Sequence, residues 1–301
     1  MVRRIAPFLA CLLIAGACTR SPAPAPASIL TDDAITIGSF DFPESELLAE
    51  IYAQALTRAG FNVDRSFDLG PRELVMPALQ EGLLELVPEY EGSALAFVGG
   101  VPTSGERSTE RALRAALAPR SLRIVAAAPA EDQNAFAVTA ATARKFGLRS
   151  VSDLATTGGV LRLGGPEECP ARPLCMKGLE DVYGVRFASF VPLDAGGPLT
   201  VQALRQGFVD VGLLFTTSPA LESGDLVHLR DDRHLQPADN VVAVARAEVL
   251  TRFGPGVTRA LEAVSSPLTT EALRRLNTQV QDGRSISDVA AAWVGSHPAP
   301  T

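Results

Sequence analysis

The sequence predicts an α/β protein made of two parallel-sheet lobes, each flanked by helices, with a cleft between them. Three observations predict it. First, ALQEGLLELVPEY (78–90) is echoed by ALRQGFVDVGLLF (203–215) at a constant offset of 125 residues. Ala78 meets Ala203, Gly82 meets Gly207, Glu85 meets Asp210, and Tyr90 meets Phe215. Second, short apolar strands alternate with helical patterns around each copy, and a β-α-β-α-β order implies parallel strands with crossover helices. Third, 301 residues that are 47% hydrophobic and 20% charged suit two globular units with full cores.

The elements follow in chain order. Arg3 and Arg4 precede IAPFLACLLIAGA (5–17), an apolar run too short to span a bilayer as a stable helix. It ends in AGA before Cys18, and small residues followed by Cys resemble a bacterial lipoprotein cleavage site. Ala15 stands where leucine is usual. Residues 1–18 are therefore expected to be a signal peptide plus the lipidated Cys18, with ordinary secretory cleavage as the alternative; both imply export. Residues 19–33 read as a tether, because the Pro/Ala alternation of TRSPAPAPAS (19–28) gives a stiff, extended spacer. No later segment carries an unbroken apolar run of about 18 residues.

AITIGS (34–39) and VLRLGG (160–165) each read as a strand entering a glycine turn. SELLAEIYAQALTRAG (45–60) is a helix, with Leu47, Leu48, Ile51, Tyr52, Ala55 and Ala59 on one face, Pro43 in the first turn and Gly60 just past the end. KGLEDVYG (177–184) is its shorter counterpart, and FNVDRSF (61–67) and VRFASFV (185–191) are the strands that follow. Helices over 269–280, capped by a threonine, and over 285–294 complete the chain, with Trp293 as a core or docking residue. Ligands of open α/β sheets sit beyond the carboxyl ends of the strands. The repeat places SFDF (39–42), 90–93, GPEE (165–168) and 215–218 there.

Cys11 leaves with the signal and Cys18 takes lipid, so Cys169 and Cys175 are left together in an oxidising compartment, where a disulfide is expected. Metal binding is the rival reading. His228, His234 and His297 are far apart in sequence, and C-x5-C is not a zinc spacing, so no metal is expected. Without Arg3 and Arg4 the chain carries 25 basic and 34 acidic residues, a net charge of −9, and no basic tract, which argues against a nucleic-acid partner. No G-x-S-x-G, H-E-x-x-H or P-loop is present, and a paired cysteine is not a nucleophile. Neither catalysis nor a cofactor is expected.

IGSFDFPESELLAEIYAQALTRAGF, VPEYEGSA (87–94), KFGLRSVSDLA (145–155), GLEDVYGVRF (178–187), LTVQALRQGFVDVG (199–212) and LNTQV (276–280) together resemble the substrate-binding proteins of osmoprotectant ABC importers, of the glycine betaine, choline and carnitine type. The resemblance covers about residues 34–295. It implies a type 2 periplasmic-binding-protein fold with a two-segment hinge near 130–136 and 235–242. Lobe 1 would comprise 34–133 plus 238–297, and lobe 2 would comprise 134–237. It also implies a receptor on the outer face of the bacterial cell membrane. That receptor would capture a small zwitterionic or cationic solute and deliver it to a permease with a cytoplasmic ATPase. A ligand sensor on the same fold, or a receptor for another small zwitterion such as an amino acid derivative, is the alternative.

Position by position, the resemblance carries Tyr90 over as a cage tyrosine for a quaternary ammonium, Ser93 as a nearby hydroxyl, and Phe215 as a cage position without its hydroxyl. Arg172, inside the Cys169–Cys175 ring, is carried over as the group for a ligand carboxylate, which its fork suits. Phe40 stands where many relatives have lysine and is expected to supply a replacement ring. Ser39, Asn134 and Thr216 complete the expected ligand-binding set. The departures are Val201 and Ala135, where relatives have aromatics. Tyr52 and Tyr183 lie on helix patterns and are assigned to the core, so a full tyrosine cage is impossible.

Overall fold

The computed structural model describes residues 33–299. The expected signal segment, Cys18 and all but the last residue of the expected tether lie outside the described residues.

Two five-stranded sheets form the frame. The first contains β1 (Ala34–Gly38), β2 (Asn62–Ser66), β3 (Leu86–Tyr90), β4 (Leu122–Glu131) and β10 (Asn240–Arg246), in the order β2-β1-β3-β10-β4. The second contains β5 (Asn134–Thr139), β6 (Arg162–Gly165), β7 (Ser189–Pro192), β8 (Val211–Phe215) and β9 (Leu226–His228), in the order β7-β6-β8-β5-β9. The two orders match position for position, as the repeat requires: β3 and β8 sit centrally and end on Tyr90 and Phe215.

The predicted parallel units are present, since β1 pairs in parallel with β2 and β3, and β6 with β7 and β8. The sheets as wholes are mixed. β10 runs antiparallel to β3, with Val241 opposite Tyr90, and β5 runs antiparallel to β8, with Asn134 opposite Phe215. The physical reason is the chain path. The chain leaves the first sheet at Glu131, enters the second at Asn134, and returns between His228 and Asn240. Each incoming strand thus starts where the parallel strands end and must run away from that edge.

The helices are α1 (Pro43–Arg58), α2 (Arg72–Glu81), α3 (Glu91–Phe97), α4 (Glu106–Leu117), α5 (Ala140–Phe146), α6 (Met176–Tyr183), α7 (Pro198–Arg205), α8 (Ala247–Phe253), α9 (Gly256–Ser265), α10 (Thr270–Gln281) and α11 (Ile286–Ser296). Pro43 occupies the first turn of α1, and Leu47, Leu48, Ile51, Tyr52 and Ala55 are buried as expected. Ala59 is exposed, because the helix ends at Arg58 and Ala59 is already its cap. Gly82 and Gly207 both hold left-handed backbone (φ 83° and 71°) just past equivalent helices, a conformation that costs other residues about 1 kcal/mol or more. The strand expected over 185–191 starts only at Ser189. Val185 is spent closing the end of α6, where its N–H donates to Leu179 O. Thr269 caps α10 by accepting from Ala272 N–H, and Trp293 donates to Val264 O at 3.0 Å while packing on the first core. Tyr52 and Tyr183 are core residues.

The second sheet is buried on both faces. Phe136, Val138, Leu163, Val211 and Leu213 serve one core, and Ala135, Ala137 and Leu214 the other, following the two-residue period of β structure.

Candidate functional site

The carboxyl ends of β1, β3, β6 and β8 converge on a cavity of about 280 Å³. Its aromatic side begins at the turn between β1 and α1. Phe40 N–H donates to Ser45 Oγ at 2.9 Å, while Ser39 Oγ accepts from Asp68 N–H and donates to Phe40 O. These bonds hold the turn so that Phe40 and Phe42 face the cavity. Phe42 is the hub. Its ring lies 5.9 Å from Phe40, 6.2 Å from Tyr90 and 5.2 Å from Phe215. Three of these rings come from the segment before the first crossing and Phe215 from the segment after it. Beyond the Phe42–Phe215 pair lies a second, more apolar cavity of about 660 Å³, which reaches Val201, Gln202 and Asn277.

The polar side is dominated by carboxylates. Tyr90 donates its hydroxyl to Glu44 Oε1 at 2.7 Å, and Glu44 Oε2 accepts from Thr217 Oγ1 and Asn277 Nδ2. Burial, with the charge of Glu44 next, holds the Tyr90 hydroxyl well above its ordinary range. Asp132, in the first crossing, is buried; its Oδ1 accepts from Thr216 Oγ1 and Thr217 N–H. Burial, and then the charge of Glu44, push its carboxyl far up. Asp239, in the second crossing, accepts from Gly92 N–H, Ser93 N–H and Ser93 Oγ (2.6 Å) at the start of α3, and burial pushes it up to about 7. Only glycine fits at position 92: a Cβ there would lie 2.5 Å from the Pro237 ring and 2.6 Å from Ala238 O.

Two arginines line the cavity, and both are engaged. Arg72, the first residue of α2, makes a two-pronged pair with fully buried Glu89 (2.8 and 2.9 Å), and its guanidinium carbon lies 5.0 Å from the Phe40 ring centre. Arg172 forks onto Glu73 of α2 (3.2 and 2.7 Å) and also reaches Glu168 at 2.9 Å. Glu73 and Arg172 belong to the two different sheets' segments, so their pair bridges the cleft. Behind Arg172 the Cys169–Cys175 disulfide is formed, and both sulfur-bearing residues are buried in the second core. The loop packs so closely on α6 that a Cβ at Gly178 would lie 1.9 Å from Pro173 O.

Of the residues expected from the sequence, Tyr90, Phe215, Arg172, Ser93, Phe40 and Asn134 line this cavity. Asn134 does so while holding the disulfide loop, its Nδ2 donating to Leu174 O at 3.0 Å. Ser39 and Thr216 do not line it; each stands one step behind, the first fixing Phe40 and the second Asp132. Residues that sequence reasoning did not assign to the site are Phe42, Arg72, Asp132 and Asp239. Phe42 carried a usable signal, since SFDF ends a strand at the cleft edge. Glu89, the neighbour of Tyr90 in β3, spends its side chain on Arg72. Among the described residues no group of His, Cys, Asp and Glu is arranged to hold a metal ion.

Comparison with known proteins agrees with this architecture. The chain is 27% identical over 292 residues to the "Glycine-betaine-binding protein" of Pseudomonas aeruginosa, covering 90% of each chain. It is 26% identical over 273 residues to "Glycine betaine-binding protein YehZ" of Escherichia coli, covering 86% of this chain and 89% of that one. A solved structure described as "Crystal structure of glycine betaine/carnitine/choline ABC transporter" superposes with a TM-score of 0.67 at 24% identity, over 87% of this chain and 98% of the other, and so shares the fold. The profile of the OpuAC family, "Substrate binding domain of ABC-type glycine betaine transport system", matches residues 33–296. With almost the entire described chain inside that match, the protein belongs to this family of extracytoplasmic solute-binding components of ABC importers.

Proposed function

We propose that this chain captures a small quaternary-amine or zwitterionic solute between lobes 34–133 plus 238–297 and 134–237, and presents the closed form to its permease. The observation that carries this reading is the ring cluster of Phe40, Phe42, Tyr90 and Phe215 at a cavity of about 280 Å³, drawn from both sides of the crossing. A cation against aromatic faces gains up to about 2 kcal/mol per ring once desolvated. Phenylalanine faces serve this purpose as tyrosine faces do, so a hydroxyl lost at Phe215 leaves the attraction in place. Hinge motion at 130–136 and 235–242 opens and shuts the cleft.

A calorimetric and thermal-shift screen of betaines, choline, carnitine, ectoines and amino acids tests the reading. A ligand at one hundred times its Kd should stabilise the protein by about 2.7 kcal/mol. Absence of both heat and shift across the panel would reject the ligand class. We further propose that Cys18 is lipidated and that residues 19–33 tether the domain to the outer face of the cell membrane; the supporting observation is AGAC at the end of the apolar run. Cys18→Ser should then move the expressed protein from the membrane fraction to the soluble extracytoplasmic fraction. An unchanged distribution would favour ordinary secretory cleavage.

A further inference from the structure

We infer that the cleft selects a monocation over a zwitterion, and that Asp132 is the residue that sets this preference. The inference rests on the solute-binding reading above and specifies its ligand.

The charge around the cavity is lopsided. Asp41, Glu73, Asp132, Glu168 and Asp239 line it against Arg72 and Arg172 alone. Neither arginine is free to receive a ligand carboxylate. Arg72 has both prongs on Glu89, whose side chain is wholly buried, and that pair cannot be opened without stranding a charge away from water. Arg172 is shared between Glu73 and Glu168, so this trio already carries a net negative charge. A ligand carboxylate would have to displace Glu73 and then sit beside it.

The carboxylates, by contrast, include unpaired ones. Among the described residues no arginine or lysine forms an ion pair with Asp132 or Asp239. Asp239 spends both oxygens on the start of α3. Asp132 differs: its bonds come from Thr216 and Thr217 and converge on Oδ1, and the residue lines the cavity that the ring cluster also lines, Phe42, Tyr90 and Phe215 among its walls. A buried carboxyl with neutral donors on one oxygen and no counter-ion gains its counter-charge from a ligand cation, which favours the ionised form that burial and Glu44 alone disfavour. Rings and carboxylate act on the same positive charge, while the rest of the wall repels a negative one. The ligand class is therefore a compact quaternary or tertiary ammonium without an acid group.

The test compares choline with glycine betaine, which share the trimethylammonium head and differ in hydroxyl against carboxylate. Calorimetry on the wild-type protein should give choline an affinity about tenfold or more above that of betaine, the scale of one charge-assisted contact. Betaine bound equally or more tightly overturns the inference while leaving solute binding standing; binding of neither, across the full panel, overturns both. Asp132→Asn should lose about tenfold or more for choline and little for betaine, with its fold checked by circular dichroism. Equal losses for the two ligands would mark Asp132 as structural only and overturn its assignment. Arg172→Ala should leave the choline-to-betaine ratio unchanged or raised for choline without a selective loss of betaine. A selective loss of betaine would return Arg172 to the role of carboxylate anchor and defeat the inference.

Discussion

Replacing Arg72 by alanine should destabilise the protein by about 3–5 kcal/mol, the cost of leaving one partner of a buried ion pair alone. Glu89 is fully buried, both of its oxygens accept from Arg72, and among the described residues the only other donor to them is the N–H of Tyr90. Without the guanidinium, a carboxylate at the centre of the first sheet, one residue from the cavity, has no counter-charge. Chemical denaturation monitored by far-ultraviolet circular dichroism measures the loss. Arg72→Lys should fall between wild type and alanine, because a single ammonium supplies charge without the fork. The double change Arg72→Met with Glu89→Gln should recover most of the stability, since replacing both partners removes the stranded charge. If the alanine variant lost under about 1 kcal/mol, the range of an exposed pair, the pair would count as a surface contact and its structural role would be rejected. The second effect expected of Arg72→Ala is on Phe40, which loses the cation 5.0 Å from its ring.

Phe42→Ala should weaken binding of a quaternary ammonium ligand by about 30-fold, which corresponds to roughly 2 kcal/mol for one desolvated ring face. Phe42 touches three other rings and separates the cavity of about 280 Å³ from the neighbouring one of about 660 Å³. Its removal takes away both a π-face and a partition. Phe42→Leu separates these contributions, because leucine keeps much of the volume and none of the quadrupole. Phe42→Tyr should retain nearly all of the affinity. A leucine variant that binds as tightly as wild type would show that the ring acts by volume alone and that the aromatic account of the cleft is wrong. Phe42 is half-buried at the edge of the core, so the substitution reports on the site more than on folding.

These two residues illustrate what was legible in advance. Phe42 stood in a motif already placed at the cleft edge by the repeat, and only its ring contacts were hidden. Arg72 and Glu89 lie 17 residues apart with no periodic relation, so nothing local pairs them. Separation grows for the rest of the site: Glu73 with Arg172 spans 99 residues, Gly92 with Asp239 spans 147, and Glu44 with Thr217 spans 173. The assignment of Arg172 to a ligand carboxylate followed motif position, which cannot reveal that Glu73, on a helix of the other segment, is already in its fork.

The sequence by itself determined the repeat, the parallel β-α-β-α-β units, the helix caps and glycine stops, the core positions of Tyr52 and Tyr183, and the partnership of Cys169 with Cys175. Each of these shows in the linear string itself, as a recurring order of residues, a short-range signal, a period of 2 or 3.6, or the lack of a rival cysteine. Only the tertiary structure decided that β5 and β10 run antiparallel, that the rings form one cluster around Phe42, and that the cavity holds more carboxylates than free cations. Those outcomes arise where the chain crosses twice between sheets and brings distant strand ends to one edge. There, burial removes water and makes each charge depend on whichever partner the fold has set beside it.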